Sequence, residues 1–194
     1  AILEAWYPGS FGGKAVADVL FGDYNPGGKL TTTFPKTAGQ IRMNFPTKPN
    51  AQIDNNWTTA RVNGVIYPFG YGLSYTSFEY SDLKIEHKQQ SAETKFRIEL
   101  TIRNTGGIAG DEIVQLYIQD KVSSVTTYEK NLRGFERVHL QPGQSKKVAF
   151  TVEDEDIKLL DRNMNWIVEP GIFKVMLGSS SEDIRLTDEF KIVE

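Results

Sequence analysis

The sequence predicts a mostly β protein, a β-sandwich preceded by a partial α/β unit. Three observations predict it. From Phe78 onward, apolar residues recur with a period of two, in short runs separated by turn residues. Ahead of Phe34, a strand-like apolar run, a helix-like run and a second strand-like run follow one another once. Between these parts lies Tyr67 to Phe78, where aromatic residues are interrupted by Pro68, Gly70 and Gly72.

The aromatic stretch is neither long helix nor long strand, because its breakers fall every second residue. Aromatic side chains bury large areas when packed. A flexible tether is rich in Gly and Ser and poor in aromatics. Residues 67–77 are therefore expected to form a packed connector between a first unit, 1–66, and a second, 78–194.

In the first unit, Ile2 to Trp6 reads as a strand buried in a parallel sheet, ended by Tyr7-Pro8-Gly9. A strand of that kind at residue 1 suggests a chain cut from something longer. A helix is expected from about Lys14 to Phe21, with Ala15, Val16, Val19 and Leu20 on one face and Lys14 and Asp18 on the other. Gly22 suits its C-cap. Asn25-Pro26-Gly27-Gly28 is a turn, and Lys29 to Phe34 reads as a short strand. One such unit is too small to bury a core alone.

Two nucleophile or nucleotide motifs fail here. A P-loop needs Ser or Thr after its Lys, but Ala15 follows Lys14, and Pro8 holds the first Gly position. Pro8-Gly9-Ser10-Phe11-Gly12 lacks the first Gly of a nucleophile elbow. The glycines are expected to permit close helix packing instead. Residues 36–66 form a long irregular loop, and such loops are functional or are ordered by a neighbour. Its Trp57 either anchors the loop or, with Arg61, stacks on a sugar ring.

In the second unit, Phe96, Ile98, Leu100 and Ile102 alternate with charged or polar residues. Ile113 to Ile118 is more apolar, with Ile113 and Tyr117 expected to be covered on the second face. Further strands are expected at Leu132 to Leu140, Val148 to Val152, Phe173 to Leu177 and Ile184 to Ile192. About seven short strands at this spacing argue for an immunoglobulin-like sandwich. Without a cysteine pair, fibronectin type III-like is the better label. Glu153-Asp154-Glu155-Asp156 is expected to open a short helix running to Leu160, where acids suit the helix dipole. Adjacent acids are a poor catalytic pair, because that chemistry needs separated carboxyls in different environments. His87 and His139 are too isolated for a metal site, and Trp166 is expected in the core.

Composition excludes several classes. The net charge of −3 gives no footprint for nucleic acid. No apolar run approaches the roughly 20 residues of a membrane span. Without cysteine there is neither a disulfide frame nor thiol chemistry.

The ordered motifs carry a resemblance. Ala5-Trp6-Tyr7-Pro8-Gly9, Gly12 to Gly22, Asn25 to Leu30 and Thr33-Phe34-Pro35 resemble the C-terminal α/β sandwich domain of family 3 glycoside hydrolases. Tyr67 to Phe78 resembles the family's connector. Asn104-Thr105-Gly106, Ala109 to Glu112, Val114 to Tyr117, Ser123 to Thr126, Leu132 to Val138 and Glu169-Pro170-Gly171 resemble its terminal fibronectin-type domain. Gly27, Thr31 and Asn131 stand where the family more often has Ser, Pro and Glu.

That resemblance implies the C-terminal segment of a retaining β-glucosidase-like enzyme acting on terminal β-linked sugars. It implies a β-glucoside or oligosaccharide substrate, an N-terminal barrel domain of the same polypeptide as partner, no cofactor and no metal. A periplasmic or secreted compartment is implied over a cytoplasmic one. The nucleophile and acid/base carboxyls would both precede Ala1, so no catalytic residue is expected here and the segment alone would be inactive. Trp6, at the end of the expected first strand, and Trp57 are the candidate substrate-binding residues. The alternative is a stand-alone fibronectin-type module that binds glycan or protein.

Overall fold

The computed structural model describes residues 2–40, 44–49, 64–90 and 93–193. Two antiparallel sheets dominate. One joins β1 (Phe78–Gln90), β2 (Glu93–Asn104) and β5 (Ser145–Glu153) in the order β1-β2-β5. The other joins β3 (Gly110–Asp120), β4 (Asn131–Leu140), β8 (Gly171–Gly178) and β9 (Ile184–Ile192) in the order β4-β3-β8-β9. A two-residue ribbon, β6 (Leu159–Leu160) and β7 (Trp166–Ile167), lies outside both.

The period of two in the sequence builds the core. Phe96, Ile98, Leu100 and Ile102 of β2 are buried against Val114, Leu116 and Ile118 of β3 and Phe173, Val175 and Leu177 of β8. Each such side chain contributes about 1.5–3 kcal/mol on burial. Phe96 of one sheet stacks on Phe190 of the other, with ring centroids 4.0 Å apart. The Phe150 ring seats on Gly134, where an added Cβ would lie 2.8 Å from Cδ1.

β3 is covered on both faces. Tyr117 is fully buried on the side away from the core, as expected, whereas Ile113 is only half-buried. The cover is the aromatic connector and its neighbours. Phe45 meets Tyr117 edge-on at 5.6 Å and stacks on Phe69 at 4.5 Å. Gln115 Nε2 donates to the Gly70 carbonyl (3.2 Å) and to the Ser179 carbonyl (2.7 Å). Gly70 has φ +79°, and a Cβ there would fall 2.2 Å from Gln115 Oε1. Only glycine satisfies both the left-handed backbone and the close approach.

The N-terminal part departs from expectation in two places. Helix α1 spans Gly12–Phe21, with Gly22 as a left-handed C-cap at φ 84°. No ladder partner runs beside Ile2 to Trp6 among the described residues, so the predicted buried strand is an exposed segment without regular structure. A parallel strand exists only where neighbours complete its hydrogen bonds. Lys29 to Phe34 is likewise not a strand. The Leu30 amide donates to the Tyr71 carbonyl (2.8 Å), the Gly70 amide to the Leu30 carbonyl (2.8 Å), and Phe34 forms an isolated bridge with Tyr67. The connector takes the backbone groups a second strand would have used.

Two smaller corrections follow in the sandwich. Helix α2 (Asp154–Ile157) stops before Leu160, because Leu159 begins β6. Its acidic first turn is as expected, and Glu153 and Asp156 form a capping box. Trp166 is not core: the ribbon outside the sheets leaves it 62% exposed, under the Lys158 ammonium at 4.9 Å. Among the described residues no helix is long and apolar enough to cross a membrane.

Candidate functional site

Trp6 stands where the extended first segment turns toward α1. Its backbone has φ 48°, a left-handed conformation that costs a non-glycine residue about 1–2 kcal/mol. Its amide donates to Glu4 Oε1 at 3.1 Å. The indole meets Phe34 edge-on at 6.3 Å. Phe34 meets Tyr67 at 6.1 Å, and Tyr67 stacks on Tyr71 at 5.0 Å. An aromatic row thus leads from the connector to Trp6, and the Phe34–Tyr67 bridge fixes its middle. Trp6 remains 54% exposed, and an aromatic side chain left in water can stack on an apolar ring surface. Trp57 and Arg61 lie outside the described residues.

Glu153, Asp156, Glu112 and Asp111 are each held by an ion pair, a cap or hydrogen bonds. Glu153 is ion-paired with Lys95 at 3.0 Å, and Asp156 Oδ2 accepts from the Glu153 amide at 3.0 Å. Glu112 is buried and paired with Lys29 at 3.0 Å. Burial pushes the Glu112 carboxyl up, and the Lys29 ammonium opposes that rise. Asp111 is held by Arg137 Nε (2.7 Å) and His139 Nδ1 (2.6 Å), and Arg137 also donates to the Tyr24 hydroxyl (2.9 Å). Burial pushes the Asp111 carboxyl up, but the hydrogen bonds from His139 and Arg137 outweigh it and hold the carboxyl below its ordinary range. His87 stacks on Phe96 at 4.8 Å.

Sequence reasoning missed what joins the two parts. Asn25 Nδ2 donates to the Ala109 carbonyl (2.9 Å), while Asn25 Oδ1 accepts from Ser74 Oγ (3.0 Å) and the Tyr75 amide (2.8 Å). One side chain thereby ties the first unit, the connector and the sandwich. Asn before Pro signals a turn, but nothing nearby in sequence reveals partners this distant.

Comparison with known proteins decides the lineage. Residues 1–75 match the glycosyl hydrolase family 3 C-terminal domain, and residues 112–181 match the fibronectin type III-like domain. The chain belongs to the C-terminal region of glycoside hydrolase family 3. It is 40% identical over 195 residues to a periplasmic β-glucosidase of Salmonella typhimurium, covering 95% of this chain and 25% of that protein. A β-xylosidase of Formosa agariphila is 39% identical over 195 residues, covering 100% of this chain and 26% of its own length. Solved structures agree. A β-glucosidase from Listeria innocua in complex with glucose superposes with a TM-score of 0.88 at 34% identity, over 98% of this chain and 28% of that one. One from Erythrobacter marinus gives 0.88 at 38% identity, over 97% and 25%. The family 3 chain spans about a quarter of the length of the curated relatives it matches.

Proposed function

We propose that this chain is the C-terminal segment of a retaining β-glucosidase-like enzyme that hydrolyses terminal β-linked sugars. The observation that carries the reading is the likeness to β-glucosidases along nearly its whole length, in sequence and in fold. Retention uses a nucleophile and an acid/base carboxyl roughly 5 Å apart. Glu153, Asp156, Glu112 and Asp111 are committed to ion pairs, caps and hydrogen bonds, and the resemblance to family 3 enzymes assigns the catalytic pair to other domains of the polypeptide. This segment's task is to brace them.

Its organisation is read as residues 1–66, a connector at 67–77 and a sandwich at 78–194. Trp6 and Trp57 are its substrate-side residues. Trp6 supports that role through its exposed indole, held in a strained turn by the row behind it. The periplasmic relative supports a periplasmic or secreted location.

The test is an assay of p-nitrophenyl β-glucoside cleavage by this chain and by the product of the full in-frame coding sequence. The full product is expected to turn over and the isolated chain is not. Trp6→Ala in the full product should raise KM more than it lowers kcat, the mark of lost ground-state binding. Hydrolysis by the isolated chain would overturn the reading. A free-standing gene for this segment alone would favour a glycan- or protein-binding module.

A further inference from the structure

A cleft of about 400 Å³ lies among residues of the connector, the start of β3 and the β8–β9 turn. Tyr71, Gly72 and Ser77 line it together with Glu112, Ser180 and Arg185. Its volume lies within the range of small-molecule sites. We propose that this cleft is a second, non-catalytic binding site for a neutral polyhydroxylated ligand, a mono- or disaccharide.

Charge pairing argues for a neutral ligand. Lys29 is bound to Glu112 at 3.0 Å. Arg185 holds Asp183 through two parallel bonds, 2.5 Å from Nε and 2.6 Å from Nη2. Asp111, also on the rim, is committed to Arg137 and His139. An ion entering the cleft would meet charges already neutralised by these pairs. A hydroxyl group needs no unpaired charge. A carboxylate has about four lone-pair sites and a guanidinium five N–H donors, so each paired group keeps spare capacity. The pairs set donors and acceptors side by side, which matches vicinal hydroxyls, each of them both donor and acceptor.

A second observation points the same way: the aromatic Tyr71 lines the same cleft, and an aromatic side chain can pack on the apolar face of a sugar ring. This inference needs only the cleft and stands apart from the catalytic reading.

The experiment is titration of D-glucose and cellobiose into the isotope-labelled chain, followed by amide chemical shifts. Saturable shifts are expected at Tyr71, Ser180 and Arg185, half-maximal at millimolar sugar. Arg185→Gln should weaken binding roughly tenfold, since it removes charge-assisted hydrogen bonds. Ser77 is exposed at the mouth, and Ser77→Phe should abolish the shifts while the rest of the spectrum stays unchanged. The proposal fails if sugar gives no saturable change at these amides. It fails equally if the shifts survive Ser77→Phe, or if acetate or sulfate reproduces them.

Discussion

Lys29 and Glu112 show how one pair couples the two parts of the chain. Lys29 precedes the connector by many residues, and Glu112 sits near the start of β3, yet their charged groups meet at 3.0 Å, with both side chains largely buried. Burial raises the Glu112 pKa and Lys29 opposes the rise, with a net upward shift. The sign of the linkage follows. A carboxyl with a higher pKa folded than unfolded binds its proton more tightly in the folded state. Its contribution is fully present below the ordinary value of 4.5 and is lost as pH rises through the folded pKa. Lys29→Met removes the opposing cation, so the carboxyl shifts further up and the loss on the alkaline side grows. Breaking a buried pair costs about 3–5 kcal/mol. The variant should approach that loss at pH 8 and lose less at pH 5, read from urea midpoints at both pH values. Equal losses at the two pH values would show that Glu112 is not the group responsible.

Among elements, the connector has the largest effect on its surroundings. It covers the outer face of β3 through Phe69, Gly70 and the Gln115 side chain. A fragment beginning at Phe78 keeps both sheets and their shared core, so residues 78–194 should unfold in one cooperative step. It also strips the cover from Tyr117 and leaves Gln115 without its Gly70 partner. That costs about 1 kcal/mol or more, so a fragment of 67–194 should melt at least about 4 °C higher than one of 78–194. Coincident melting temperatures would mean the connector adds nothing to the sandwich. Legibility in the sequence follows the same line. The strands were readable because a period of two is a local signal, and the connector because its aromatics and breakers are contiguous. Lys29 to Phe34 was misread because its Thr-rich composition suits a strand, whereas its partner, the connector, has no strand pattern. Trp166 was misread because a two-residue ribbon outside the sheets leaves no periodic trace. Trp6 could be chosen for its place after an apolar run, but its positive φ and its row of aromatic neighbours depend on distant residues.

At the scale of the molecule, apolar surface is distributed unevenly. The sandwich buries a continuous core between its sheets. In the first unit, by contrast, Ile2, Tyr7, Phe11, Leu20 and Phe21 are exposed, Tyr7 and Phe21 at 99% and 84%. Exposed apolar surface of this kind marks an interaction face. Local stability tracks buried apolar contact, so opening should be far easier here than in the sandwich. Among the described residues, side-chain ties from this unit to the connector and the sandwich begin at the Val19 carbonyl, which accepts from the Tyr75 hydroxyl, and continue through Tyr24, Asn25, Lys29, Phe45 and Thr47. Amide hydrogen exchange on the dilute chain should therefore rank three tiers. β2, β3 and β8 should exchange slowest, near the global limit. The amides of Leu30 and Phe34, bonded to the connector, should be intermediate. Those from Ile2 to Phe21 should exchange fastest. If the proposed enzyme packs another domain on this apolar face, the last group should become the most strongly slowed in the full-length product, while the sandwich core changes little. Protection throughout Ile2 to Phe34 in a dilute monomer would mean that this unit holds its own fold. The bracing role would then have to rest on the sandwich alone.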